Sequence, residues 1–222
     1  NGGGLIKDQC PAERDCSDSY YDNLCGPCSL IEIVAQKLTI HGAADKPAGS
    51  IIDSTLSAEL NNAYLRAYGY NITTMSTIQQ ANLKGTLIRK DMAKMISNFA
   101  INVLGKDVST GKTCIFSDMT SLSKEAQYYA MAACRLGLMG YESDGVTLKK
   151  NFDPDQAVDR GQFGTILSRL LRGNENNGGT PYYQKHLAAL KKAGIMAKIE
   201  NPLAKELRGR VMLMMQRVTE KE

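Results

Sequence analysis

The stretch Cys25-Gly26-Pro27-Cys28 has the spacing of a dithiol redox pair. A thiolate there would attack a disulfide and exchange it. That chemistry needs a strand before the motif and a parallel sheet around it. The surrounding "SYYDNLCGPCSLIEIV" offers a short helix after the pair and no strand pattern before it. Cys10 and Cys16 lie within 15 residues upstream of Cys25. A second chemistry is therefore structural, with Cys25 and Cys28 forming half of a four-cysteine disulfide staple with Cys10 and Cys16. Zinc is a third, since four cysteines suffice, but the chain has only two histidines, His41 and His186, and no second CxxC. The staple is the reading carried forward, and its connectivity stays open.

Other candidate chemistry is thin. Asp153, Asp155 and Asp159 in "FDPDQAVD" suggest calcium, but the glycine and terminal glutamate of an EF-hand loop are missing. Turn and cap roles fit these residues better. Asn71-Ile72-Thr73 is a glycosylation sequon in a helix-ending turn. The chain contains no G-x-S-x-G, phosphate loop or H-E-x-x-H. The expectation is a non-enzymatic protein with no cofactor and no metal.

Composition narrows the setting. The 222 residues include 27 basic and 23 acidic side chains, for a net charge of +4. This is too mild for nucleic-acid binding and compatible with weak attraction to an anionic polymer. No apolar run approaches the roughly 18 residues of a membrane span. The N-terminal Asn1 and the cysteine crowding fit a secreted product whose signal peptide has been removed.

These residues must be held by elements. Residues 1–29 read as an irregular disulfide-stapled arm. Residues 29–41 read as a short helix capped by Ser29 with Glu32, and a linker follows to about residue 50. Residues 51–222 form a second region, in which similar units recur. After Arg89, Arg160 and Arg208, apolar residues fall at offsets 3, 6, 7 and 10. They are Met92, Met95, Ile96 and Phe99, then Phe163, Ile166, Leu167 and Leu170, then Val211, Met214, Met215 and Val218. This is one face of a helix. Each such helix follows another that ends at Gly69/Asn71, Gly137 or Gly194, where a left-handed residue closes it. Three helix-loop-helix units result, over about 57–105, 115–171 and 181–218, and only stacking buries their apolar faces.

The middle unit resembles an S-layer homology repeat. Phe116 and Asp118 match its F-x-D entry, Gly137 and Gly140 its G-[IL]-x-G turn, and Phe152 and Pro154 its F-x-P loop. Asp159-Arg160-Gly161-Gln162 stands at its T-R-A-E. The flanking units keep "IRKDMAKMI" and "LRGRVMLMM". The resemblance implies a mainly α, pseudo-threefold domain that holds proteins on a bacterial envelope, with an anionic cell-wall polysaccharide in grooves between repeats. It carries over Arg89, Arg160 and Arg208, with the cap Asp159, as polymer-binding positions. A guanidinium beside free helix N–H groups suits a carboxylate or phosphate. The alternative is that these arginines are structural, fixing each loop against a helix start. The pattern also departs from the family: the cap is Ile88 and Leu207 in the outer copies, the acidic position reads Asp91, Gln162 and Arg210, and tryptophan is absent. The family's entry segment packs near the first helix, which implies a Cys114–Cys134 disulfide closing a loop of about 20 residues. Buried free thiols are the alternative.

With the repeats occupying most of the chain, the expectation is a self-assembling surface-layer or filament subunit that associates through its N-terminal arm. A monomeric polysaccharide-binding anchor is the second reading, and a Cys25/Cys28 oxidoreductase the third.

Overall fold

The structure is a computed structural model that describes residues 52–109 and 111–221. The proposed arm, Cys10, Cys16, Cys25, Cys28 and His41 lie outside the described residues. Within them the protein is mainly helical. Seven helices run in order: α1 (Ala58–Gly69), α2 (Ile78–Ala81), α3 (Arg89–Asn102), α4 (Lys124–Arg135), α5 (Arg160–Arg172), α6 (Gln184–Lys192) and α7 (Arg208–Lys221). Among the described residues, no helix is long and apolar enough to cross a membrane.

Local chemistry explains most helix starts. Ser57, Thr77 and Ser123 accept a backbone N–H from Leu60, Gln80 and Ala126 at the starts of α1, α2 and α4. Asp159 opens α5 with a full capping box closed by Gln162. α3 begins after Ile88 with no side-chain cap. Its first N–H groups go to another segment instead, Arg89 to the Gln156 carbonyl at 3.0 Å and Lys90 to that of Pro154 at 2.9 Å. Arg160 and Gly161 donate likewise to Ala204 and Pro202, and Arg208 and Gly209 to Gly85 and Leu83. A neighbouring loop's carbonyls thus satisfy N–H groups that every helix start leaves open. This is why Ile88 and Leu207 are tolerated where a cap would stand.

The segments just before α3, α5 and α7 meet at one point. Leu87 N–H donates to Glu206 O (2.9 Å), Glu206 N–H to Val158 O (2.8 Å), and Val158 N–H to Leu87 O (2.9 Å). The three bonds form a closed cycle, flanked by single antiparallel bridges at Ile88–Ala157, Asp159–Lys205 and Thr86–Leu207. The helices pair around this hub, α3 with α4, α5 with α6, and α7 with α1. Two of the pairs are consecutive in the chain, and the third joins the last described helix to the first.

All twelve apolar positions that follow the arginines are buried, none more than 8% exposed. They share one core with Tyr64, Leu87, Phe152, Leu190 and Met196. Asn71, Gly137 and Gly194 close α1, α4 and α6 with positive φ of 56°, 74° and 68°. Cys114 and Cys134 are disulfide-bonded, with Cα atoms 6.2 Å apart.

Candidate functional site

The three arginines that begin α3, α5 and α7 are each engaged within the chain. Arg89 is 7% exposed. Its Nε donates to Phe152 O at 2.6 Å, and its guanidinium lies 5.1 Å from the centre of the Phe152 ring. Burial lowers its pKa, opposed by the Asp153 and Asp118 carboxylates. Asp118 organises the same loop, accepting Phe152 N–H and Asp153 N–H on its two oxygens at 2.8 and 2.7 Å. Phe116 packs on Phe152 with ring centres 5.2 Å apart. The Phe116 ring also fills the space that a Cβ on Gly140 would need, and Gly140 has a φ of +84°. Entry, turn and loop motifs are therefore one packed cluster, and Arg89 reaches it from 63 residues away.

Arg160 is also 7% exposed. Its Nε lies 3.5 Å from Oε2 of Glu206, a glutamate with no exposed surface. Glu206 Oε1 accepts from Arg210 Nε at 3.0 Å and from its neighbour Leu207 N–H at 3.3 Å. Burial raises the Glu206 carboxyl pKa, and Arg210 and Arg160 pull it back. Arg208 Nη2 pairs with Asp91 Oδ2 on α3. Gly85 leaves room for it, since a Cβ there would lie 2.8 Å from Arg208 Nη1. Asp159 serves as the α5 cap.

Among the described residues an open concave surface lies between α3 and α4, a groove of about 240 Å³ lined by Lys90, Asp91, Lys94, Ser123, Glu125 and Tyr129, among others. Lys94 Nζ reaches Glu125 at 2.7 Å and Thr74 at 3.0 Å and lies 5.8 Å from the Tyr129 ring centre. Lys90 Nζ pairs with Asp155 at 2.6 Å, and this hydrogen bond raises the lysine pKa. Gly161 and Gly209 hold the position after the arginine in α5 and α7. A Cβ on either would lie 2.8 Å from Tyr183 or Leu83 respectively, so a neighbouring side chain fills that space. None of the groove residues except Asp91 stood out in the sequence. The signal there was an i, i+4 pair on each wall, Lys90/Lys94 and Glu125/Tyr129.

The remaining candidates find structural places. Asp153 holds a left-handed φ of 57°, and Asp155 is the partner of Lys90. Among the described residues, no group of three His, Cys, Asp and Glu side chains is arranged to hold a metal. Thr73 of the sequon is buried. His186 is 1% exposed, on α6. No protein-family profile matches the chain, and no curated protein is similar to it in sequence.

Proposed function

We propose that this chain is a non-enzymatic extracellular structural protein, a self-assembling subunit of a bacterial surface layer or filament. In this reading its bulk is three units similar to S-layer homology repeats, set about a pseudo-threefold axis. What supports the repeat arrangement is the hydrogen-bond cycle of Leu87, Val158 and Glu206. Their separations along the chain, 71 and 48 residues, equal those of Arg89, Arg160 and Arg208.

The observation that carries the functional reading is the internal engagement of the three arginines, on Phe152, Glu206 and Asp91. Side chains held this way stabilise an architecture rather than wait for a polymer. Sedimentation velocity and negative-stain micrographs of the purified full chain test it. Concentration-dependent sheets or filaments are expected, and a strictly monomeric protein at the highest attainable concentration rejects it.

The groove between α3 and α4 favours a second reading, a monomeric anchor for cell-wall polysaccharide. Tyr129 offers a ring for a sugar to stack on, and Lys90 and Lys94, paired with the exposed carboxylates of Asp155 and Glu125, would exchange those partners for anionic groups of the polymer. Co-sedimentation with purified wall polymer separates the two. An anchor pellets with the polymer and loses binding on Tyr129→Ala, while Arg208→Ala, at the part-exposed pair with Asp91, serves as the control for the arginine positions.

A further inference from the structure

We infer that copies of this chain join by exchanging the segment 58–81, so that α1 of one copy seats on α7 of another; this rests on the self-assembling reading above. In the described chain each arginine-led helix packs on one helix outside its own unit: α3 on α4, α5 on α6, α7 on α1. The first two partners come next in sequence. The third closes the circle from the other end, and nothing about the α7 surface distinguishes its own copy's α1 from another's.

The seam between α1 and α7 combines a packing gap with a polar edge. α1 offers small side chains to it, Ala63 and Ala67, and a gap of about 10 Å³ remains beside Met212 and Met215. Gln216 in the same lining keeps a buried Oε1 with no hydrogen-bond partner. Polar contacts at the edge are Arg217 Nη2 to Glu59 at 2.7 Å and Arg66 Nη1 to Thr219 at 3.5 Å.

The hinge is equally defined. Asn82 follows α2 in a left-handed conformation, φ 45° and ψ 64°. Immediately beyond it, Leu83 O and Gly85 O accept the first N–H groups of α7. The hub therefore stays within one copy while the segment before Asn82 moves. The bonds it makes to α3, Asn98 Nδ2 to Asn71 O at 2.7 Å, Asn102 Nδ2 to Tyr70 O at 2.9 Å and Lys94 Nζ to Thr74 Oγ1 at 3.0 Å, re-form between copies. Exchanging one identical element preserves the native contacts outside the hinge, where Asn82 N–H bonds Gln79 O and Asn82 O accepts Gly85 N–H, which makes it a low-cost way for a chain to associate.

The test uses Arg217→Lys, which keeps the charge and lets a carbodiimide couple the introduced amine to the Glu59 carboxylate. Full-length unlabelled and ¹⁵N-labelled copies of this variant are mixed as monomers, assembled, pelleted and cross-linked, and peptides are read by mass spectrometry. The Lys94–Glu125 pair, at 2.7 Å between α3 and α4, is the within-chain control. Full exchange predicts that about half of the 59–217 cross-links join light to heavy while 94–125 stays isotopically pure. Pure 59–217 cross-links in the pellet overturn the exchange and leave the subunit reading standing. Mixed cross-links at both pairs also overturn it, because the moving piece is then larger. No pellet at any concentration, from the native chain as well as the variant, removes the subunit reading and the exchange together.

Discussion

His186 links the packing of α6 to a measurable pH dependence. The imidazole is 1% exposed, and its Nδ1 has no hydrogen-bond partner. Burial, and then the Arg169 charge, push its pKa down to about 4, against 6.5 for a solvated histidine. Between those values the unfolded chain carries the proton and the folded chain does not. Stability is therefore full above about pH 6.5 and is lost as pH falls toward 4. At 1.36 kcal/mol per unit, the loss is about 3 kcal/mol, a large part of the 5–15 kcal/mol typical of a domain. His186→Phe removes the titration and keeps a ring. Urea unfolding followed by circular dichroism, from pH 7.5 to 3.5, should show the native protein losing about 3 kcal/mol more than the variant. Parallel curves within about 0.5 kcal/mol would refute the reasoning, since all other titrating groups are common to both proteins.

Three further outcomes follow from the packing. Glu206→Ala leaves Arg160 buried without its carboxylate and should cost about 3–5 kcal/mol, whereas Arg160→Met with Glu206→Leu should fall within about 1 kcal/mol of native or above it; a double as damaging as the two singles summed contradicts this. Gly140→Ala meets both a left-handed φ of +84° and the Phe116 ring, so chemical denaturation should register a loss of about 2–4 kcal/mol. Replacing Cys114 and Cys134 with serine releases a closure of 20 residues and should remove about 3 kcal/mol, seen by calorimetry as a melting temperature lower by roughly 6–12 °C; an unchanged melting temperature rejects it.

The helices were legible in the sequence because their causes are local. An apolar residue at offsets 3, 6, 7 and 10 from each arginine marks a face within one helix, and all twelve are buried. Asp159 caps within three residues, and Asn71, Gly137 and Gly194 end helices by their own backbone freedom, whereas the caps Ser57 and Ser123 and the four-residue α2 did not stand out in the sequence. The arginines themselves were legible as special positions, but their partners were not. Arg89 meets Phe152 across 63 residues and Arg208 meets Asp91 across 117, distances over which sequence spacing carries no geometric information. The groove is the same case, since Lys94 and Glu125 face each other only because α3 packs on α4.

The sequence by itself determined that this chain forms short amphipathic helices after Arg89, Arg160 and Arg208, which side of each is apolar, and where the helices before them end. Those properties depend on residues within one or two turns. Only the tertiary structure decided that the three segments before α3, α5 and α7 close a cycle of backbone hydrogen bonds. It also decided that α7 returns to α1, and that Glu206 is buried at the hub where Leu87 and Val158 supply apolar side chains. A carboxylate in such a place is stable only through Arg160 and Arg210, and that pairing depends on how the whole chain folds back on itself.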